Sequence, residues 1–103
     1  MTNKLGLRES DLTSILDFLS KEPLITEAYI FGSRAKGNFK NGSDVDIALK
    51  GDSLTLDAVN KISYWFNEES SMPYRFDVLD YNTLESIDLK EHIDRVGVAI
   101  YRA

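Results

Sequence analysis

Apolar residues recur along the first half of the chain at helical spacing and then at strand spacing. Over residues 9–21, leucine and isoleucine return every three or four positions, which predicts an amphipathic helix. Pro23 ends that helix, because the residue before a proline is pushed out of the helical region. The apolar run over 25–31 predicts a first strand, and alternation over 44–49 predicts a second.

The second half of the chain also alternates between helix and strand patterns. A broad apolar stripe predicts one longer helix. Capping-box spacing, a short polar residue followed three positions later by glutamate, predicts two shorter helices. In order, the predicted elements are a helix over 54–69, a strand over 74–80, short helices beginning at Asn82 and at Asp88, and a strand over 98–101.

This order of elements predicts a small α/β fold in which a sheet of about four strands is flanked by helices. The link between the first two strands, residues 32–43, holds three of the six glycines and predicts a turn or loop. A link this short favours antiparallel strands, since a parallel return needs a crossover element, so the sheet is expected to be mixed. At 103 residues, we expect a single domain over 1–103.

Composition narrows the possible functions. The net charge of −5 provides no basic face of the kind that nucleic-acid binding needs, so stable binding of DNA or RNA is not expected. The chain has no cysteine, which excludes disulfides and thiolate zinc sites. No apolar window is as long as a membrane span, and we expect a cytoplasmic protein.

The link after the first strand contains candidate phosphate-binding residues. Gly32 lets the backbone approach a phosphate closely, and Ser33 adds a hydroxyl and an N–H group. Arg34 and Lys36 can neutralise a triphosphate, and Ser43 lies beside the acidic pair that follows. A Gly-Ser pair alone would favour an ordinary turn, but here acids follow it closely.

Three aspartates are candidate metal ligands. Asp44 and Asp46 stand two positions apart in a predicted strand, so they share a face with alpha carbons ~6.6 Å apart. Asp77 lies in an aromatic and apolar run where aspartate is disfavoured. Most isolated Asp-x-Asp pairs mark only an exposed strand face. Asp80 is a competing acid, but it points to the opposite face of a regular strand, so only one of the two can join the site without a bulge.

Oxygen ligands of this kind suit Mg²⁺, which binds carboxylates and fills its remaining positions from phosphates and water. In a two-metal site the ions activate the attacking oxygen and stabilise the leaving pyrophosphate. We expect Asp44 and Asp46 to be shared ligands of the two ions. Asp77 is expected to assist the attacking hydroxyl, either through the metal or as a general base.

These residues resemble the signature of a known superfamily. Gly32-Ser33, ten intervening residues, the Asp44-Val45-Asp46 pair and a downstream Asp77 are similar to the polymerase-beta-like nucleotidyltransferases. More closely, the chain resembles the minimal nucleotidyltransferases, or MNT proteins, that are antitoxins of HEPN-domain toxins. The resemblance extends over nearly the whole chain, from Gly6-Leu7 to Ile100-Tyr101.

The resemblance implies a mixed sheet flanked by helices, ATP as substrate and Mg²⁺ as cofactor. It implies transfer of AMP to a tyrosine of a HEPN-domain toxin, in a type VII toxin–antitoxin pair. At the matching positions, Gly32 and Ser33 would hold phosphates, and Asp44, Asp46 and Asp77 would bind metal. Two alternatives stay open: an inactive nucleotide-binding antitoxin that occludes its partner, and a small-molecule nucleotidyltransferase that borrows its acceptor pocket from a partner chain.

Two further signals are interpreted as structural. His92 is the single histidine, and one imidazole is not a metal site, so a structural or solvated role is favoured. The aromatic run Tyr64-Trp65-Phe66 can form an interface anchor, but a helical stripe of this width favours core packing.

Overall fold

A computed structural model describes the protein over residues 3–103. The helices are α1 (Glu9–Ser20), α2 (Gly32–Lys36), α3 (Leu56–Tyr64) and α4 (Ile87–Val96). The strands are β1 (Glu27–Phe31), β2 (Val45–Lys50), β3 (Phe76–Asp80) and β4 (Val98–Arg102). A π-helical turn over Trp65–Glu69 extends α3, and a 3-10 turn over Tyr81–Thr83 follows β3.

The four strands form one mixed sheet in the order β3-β2-β1-β4. β1 pairs antiparallel with both β2 and β4, and β2 pairs parallel with β3. The parallel pair is joined through α3, as a parallel return requires. The structure therefore confirms the expected four-strand mixed sheet and the antiparallel pairing of the first two strands.

Strand alternation separates the two faces of the sheet. One face carries the larger core, which includes Ile30 and Ile47, together with α1 and α3 residues such as Ile15 and Ile62. The opposite face carries a smaller cluster. That cluster is formed by Phe31, Ala48 and Ile93, with Tyr29, Leu79, Tyr81, Leu84 and Leu89 packed against it. Since Ile93 belongs to α4, this helix covers part of the second face.

The stretch predicted as a loop over 32–43 begins instead with the short helix α2. Gly37, at φ 84°, ends it in the left-handed conformation, and its N–H donates to the Ser33 carbonyl. Three glycines suggested a loop, but Gly32 and Gly37 stand at the two ends of the helix, where they do not disrupt it. Ser33 therefore lies inside a helical turn.

The predicted capping boxes are also wrong. The hydroxyl of Ser86 accepts the Leu89 N–H at 3.2 Å, so α4 begins at Ile87 and not after Asp88. The carboxylate of Asp80 accepts the Asn82 N–H at 3.0 Å and caps the 3-10 turn. Spacing alone did not identify the caps, because a cap forms where the backbone leaves the extended conformation.

The aromatic run at the end of α3 divides between core and surface. Phe66 is 1% exposed and stacks on Phe76 at a ring-centroid distance of 4.7 Å, whereas Tyr64 is 58% exposed. Core packing is therefore confirmed for Phe66 and wrong for Tyr64. Along residues 3–103, no helix combines the length and apolar character needed to cross a membrane.

Replacing Phe66 with alanine should lower the free energy of unfolding by about 3–5 kcal/mol, because the change removes a buried ring and leaves a cavity. Tyr64→Ala is the matched control, and it should cost well under 1 kcal/mol because the ring is mostly in water. Urea unfolding followed by circular dichroism measures both. Equal losses in the two variants would contradict this assignment of the core.

Candidate active site

Gly32 lies where β1 passes into α2, directly against the carboxylate of Asp46. Its φ of +74° is a left-handed conformation that glycine adopts without strain. A Cβ at this position would collide with Oδ2 of Asp46. The backbone angle therefore favours glycine, a larger residue would displace the Asp46 carboxylate, and the turn at Gly32 is in contact with Asp46.

The strand register brings two of the three aspartates together. Asp46 on β2 is the direct partner of Asp77 on β3, so both side chains leave the same face from alpha carbons ~4.8 Å apart. Asp44 stands two residues before Asp46, immediately ahead of β2. Asp44 and Asp77 are exposed, and Asp46 is half-buried. Asp46 and Asp77 are thus neighbours beside the turn at Gly32, and Asp44 is near enough for its charge to act on Asp46.

Burial and the neighbouring acids together raise the pKa of Asp46. Burial, followed by the negative charges of Asp77 and Asp44, raises the pKa of Asp46 from 3.8 to about 6, while Arg34 opposes the rise. Within residues 3–103, no three acidic or imidazole groups are already close enough to form a complete metal cage. The strand register therefore places Asp46 and Asp77 on one face of the sheet, but the carboxylates of the three aspartates do not converge on one point.

Asp80, the competing acid, has a different role. It pairs with Leu49 in the strand register and is 9% exposed. Its carboxylate accepts the Asn82 N–H, and its carbonyl accepts the hydroxyl of Thr83 at 3.2 Å. Asp80 is thus a buried cap, which leaves Asp77 as the acid of β3 that stands beside Asp46.

Arg34 is buried at 3% exposure and binds backbone carbonyls. Its Nη1 donates to the carbonyls of Leu5 and Gly6 at 3.0 and 3.2 Å, and its Nη2 donates to that of Ser43 at 2.8 Å. These contacts tie α2 to the N-terminal segment and to the residue before Asp44. They favour a structural role over the expected contact with phosphate, because the guanidinium is already engaged.

Aromatic rings enclose the same guanidinium and extend the network. Arg34 lies 5.2 Å from the ring centroids of both Phe39 and Tyr74. The Tyr74 hydroxyl donates to the carboxylate of Asp11 at 2.8 Å, and Arg8 donates to that carboxylate at 2.9 Å. Sequence reasoning missed Asp11 and Tyr74, since they are 63 positions apart and neither belongs to a motif.

The remaining candidate residues, Lys36, Ser33 and Ser43, differ in their exposure and in their contacts. Lys36 is exposed in the last turn of α2, where it is free to reach an anion in solvent. Ser33 is half-buried beside Gly32. The hydroxyl of Ser43 accepts the Lys40 N–H at 2.8 Å, so this side chain shapes its own loop. Lys36 and Ser33 therefore remain candidates for contact with a phosphate, whereas Ser43 and Arg34 are engaged in hydrogen bonds within the protein.

His92 also contacts the turn, which its isolated position in the sequence did not indicate. The N–H of Gly32 donates to Nε2 of His92 at 3.2 Å. The structural role predicted for His92 is therefore to hold Gly32, the first residue of α2, by this hydrogen bond.

Gly32→Ala should destabilise the fold more than Gly37→Ala. Both glycines have a positive φ, so each substitution carries a backbone cost of about 1–2 kcal/mol. A Cβ at Gly37 meets nothing within 4 Å, whereas one at Gly32 must displace Asp46. The excess loss at Gly32, measured by urea unfolding, reports this contact. Equal losses would show that the turn and the carboxylate are not packed together.

Stability should depend on pH through Asp46. Because the folded protein holds this proton up to about pH 6, the free energy of unfolding falls as pH rises from about 4 to about 6. Asp46→Asn removes that loss, so in EDTA the variant should be more stable than wild type at pH 7 by about 1 kcal/mol, a value reduced for solvent screening. At pH 4 the difference should vanish.

Melting curves at pH 4, 5 and 7 test this pH dependence. Asp52→Asn is the control, because Asp52 is an exposed acid in the turn after β2. A variant at Asp46 that is less stable than wild type at pH 7 would argue against electrostatic crowding at this position.

Comparisons with known proteins identify the family of this chain. The model of the family described as polymerase beta, nucleotidyltransferase, matches residues 13–103. A probable protein adenylyltransferase, MntA, from Haemophilus influenzae is 33% identical over 98 residues, which are 94% of this chain and 84% of that protein.

Solved structures show the same fold. A chain of a toxin–antitoxin complex with AMP-PNP has a TM-score of 0.71 at 23% identity, over 94% of this chain and 75% of that one. A chain of the complex between a tri-AMPylated Shewanella oneidensis HEPN toxin and an MNT antitoxin has a TM-score of 0.70 at 20% identity, over 94% and 74%. The resemblance drawn from the motifs is confirmed: the chain belongs to the polymerase beta nucleotidyltransferase family.

Proposed function

We propose that this protein transfers AMP from Mg·ATP to a tyrosine hydroxyl of a HEPN-domain toxin and thereby acts as an antitoxin. The observation that supports the proposal most is the pairing of Asp46 with Asp77 beside Gly32, which puts two of the three carboxylates of the family motif on one face of the sheet. The name of the H. influenzae relative supports protein adenylylation. The toxin–antitoxin complexes among the structural neighbours support the choice of partner.

The acids fit Mg²⁺ by their chemistry. Asp44, Asp46 and Asp77 offer only hard oxygen donors. Burial and, after it, the charges of Asp77 and Asp44 raise the pKa of Asp46, and a divalent cation would favour its ionised form. These three residues would hold two ions. When bound, the ions would neutralise the triphosphate and stabilise the leaving pyrophosphate.

In the proposed reaction the tyrosine oxygen attacks the α-phosphorus of ATP. A bond forms between these two atoms, and the bond from the α-phosphorus to the bridging oxygen breaks, so pyrophosphate leaves. The hydroxyl proton passes to Asp77, which is exposed on the face that the acceptor must approach. Gly32 allows the phosphates close to the backbone, Ser33 contributes a hydroxyl, and Lys36 contributes a mobile positive charge.

The open surface around Asp77 supports a protein acceptor. Asp77 lies on β3, which is an edge strand of the sheet, and its side chain is exposed beside Asp46. This exposed edge can be approached by a side chain that another protein presents, whereas a free small molecule is usually bound in an enclosing cleft. We propose that residues 1–103 form one nucleotidyltransferase domain, whose ATP-dependent reaction takes place in the cytoplasm.

Incubation of the protein with ATP labelled in the α-phosphate, Mg²⁺ and the HEPN protein encoded beside it should label the HEPN protein. Asp44→Asn should abolish labelling and the rise in melting temperature caused by Mg·ATP, because it removes one ligand carboxylate. Asp52→Asn should retain both. The readouts are autoradiography after electrophoresis and melting curves with and without Mg·ATP.

Protection of cells against the HEPN protein separates catalysis from occlusion. An enzyme loses protection together with labelling in Asp44→Asn, whereas an inactive antitoxin that only covers its partner keeps it. Absence of transfer between two verified, folded proteins would refute the proposed activity. Labelling of a small acceptor in the absence of any protein partner would instead identify a small-molecule transferase.

A further inference from the structure

The hydrogen bond between Gly32 and His92 joins two places 60 residues apart. The Gly32 N–H belongs to the first residue of α2, and the N–H groups at a helix start have no acceptor within their own helix. Nε2 of His92 supplies that acceptor from α4 at 3.2 Å. The bond therefore fixes the direction of the backbone just where the turn begins.

The imidazole is itself held in place. His92 is half-buried, and its ring meets the ring of Phe31 edge to face at a centroid distance of 6.1 Å. The next residue, Ile93, is 3% exposed and packs with Phe31 and Ala48 against the sheet. Because α4 is anchored at Ile93, the position of Nε2 is determined by the core and not by a flexible surface side chain.

Gly32 is thus constrained from two sides. The carboxylate of Asp46 lies against its alpha carbon, and His92 binds its N–H. We propose that His92 is a positioning residue for nucleotide binding, which holds the Gly32-Ser33 turn in register with Asp46. This inference rests on the proposed function, and it assigns α4 a direct part in shaping the nucleotide site.

The hydrogen bond between Gly32 and His92 requires that Nε2 act as an acceptor. Nε2 accepts only in the neutral imidazole that carries its proton on Nδ1, so any replacement must offer an acceptor at the same reach. Because the Gly32 N–H is already engaged, Gly32 contributes open space and a left-handed backbone to a phosphate, and not a donor. The donors from this turn then come from Ser33.

Two variants separate the acceptor from the bulk of the ring. His92→Phe keeps a ring against Phe31 but has no acceptor, whereas His92→Gln carries an amide oxygen that reaches about as far as Nε2. We expect His92→Phe to raise the KM for ATP by about three- to tenfold, the effect of one lost hydrogen bond, with the KM for the protein acceptor unchanged. His92→Gln should stay within about twofold of wild type. Glu91→Gln, on the exposed side of α4, is the control.

The kinetic outcomes decide between positioning and packing. If His92→Phe binds ATP as wild type does, or if both variants weaken ATP binding equally, the inference is overturned. A parallel rise in the KM for the protein acceptor would also overturn it, since that pattern reports a general loss of structure. If the wild-type protein transfers no AMP, the dissociation constant of Mg·ATP replaces KM, so failure of the proposed activity stays distinguishable.

A second measurement needs neither activity nor a variant. An N–H···N hydrogen bond transmits a scalar coupling between its two nitrogens, which NMR detects in uniformly ¹⁵N-labelled protein. A coupling between the Gly32 amide and Nε2 of His92 is expected. Its absence in well-resolved spectra of the folded protein would refute the bond on which the inference depends.

Discussion

The close contact between Gly32 and the carboxylate of Asp46 is the constraint on which the candidate site depends. It brings together the end of β1, the start of α2 and the start of β2 at one point of the sheet. A side chain larger than hydrogen would displace the Asp46 carboxylate, and the positive φ would strain the backbone as well. The Gly32-Ser33 turn and Asp46 therefore belong to the same candidate site.

This arrangement places like charges side by side. Asp46 and Asp77 are direct partners across β2 and β3, and Asp44 stands two residues away. The fold tolerates the repulsion because Asp44 and Asp77 remain in water, while the half-buried Asp46 responds with a raised pKa. Repulsion between neighbouring charged groups is typical of functional sites, where a bound ligand offsets it.

The contacts of Arg34 give it a different role from the one that its position in the motif predicts. Next to Gly-Ser, an arginine indicated a phosphate ligand, yet its guanidinium binds three carbonyls and lies between two rings. One of those carbonyls belongs to Ser43, so Arg34 links the turn to the residue before Asp44. Its effect on the site is to hold the two halves of the motif together, with its charge still acting on Asp46.

Patterns along the chain predicted the features that depend on neighbouring residues. Helical and strand periodicity located the principal elements, and the short link predicted the antiparallel pairing of β1 and β2. Spacing predicted that Asp44 and Asp46 are neighbours; Asp44 lies just before β2, and its charge acts on Asp46. The remaining features depend on how distant segments pack: Asp77 rather than Asp80 lies beside Asp46, the observed caps replace the predicted ones, and His92 contacts Gly32. The physical reason is that register, burial and hydrogen bonds between distant segments are set by how the elements pack, which no local pattern encodes.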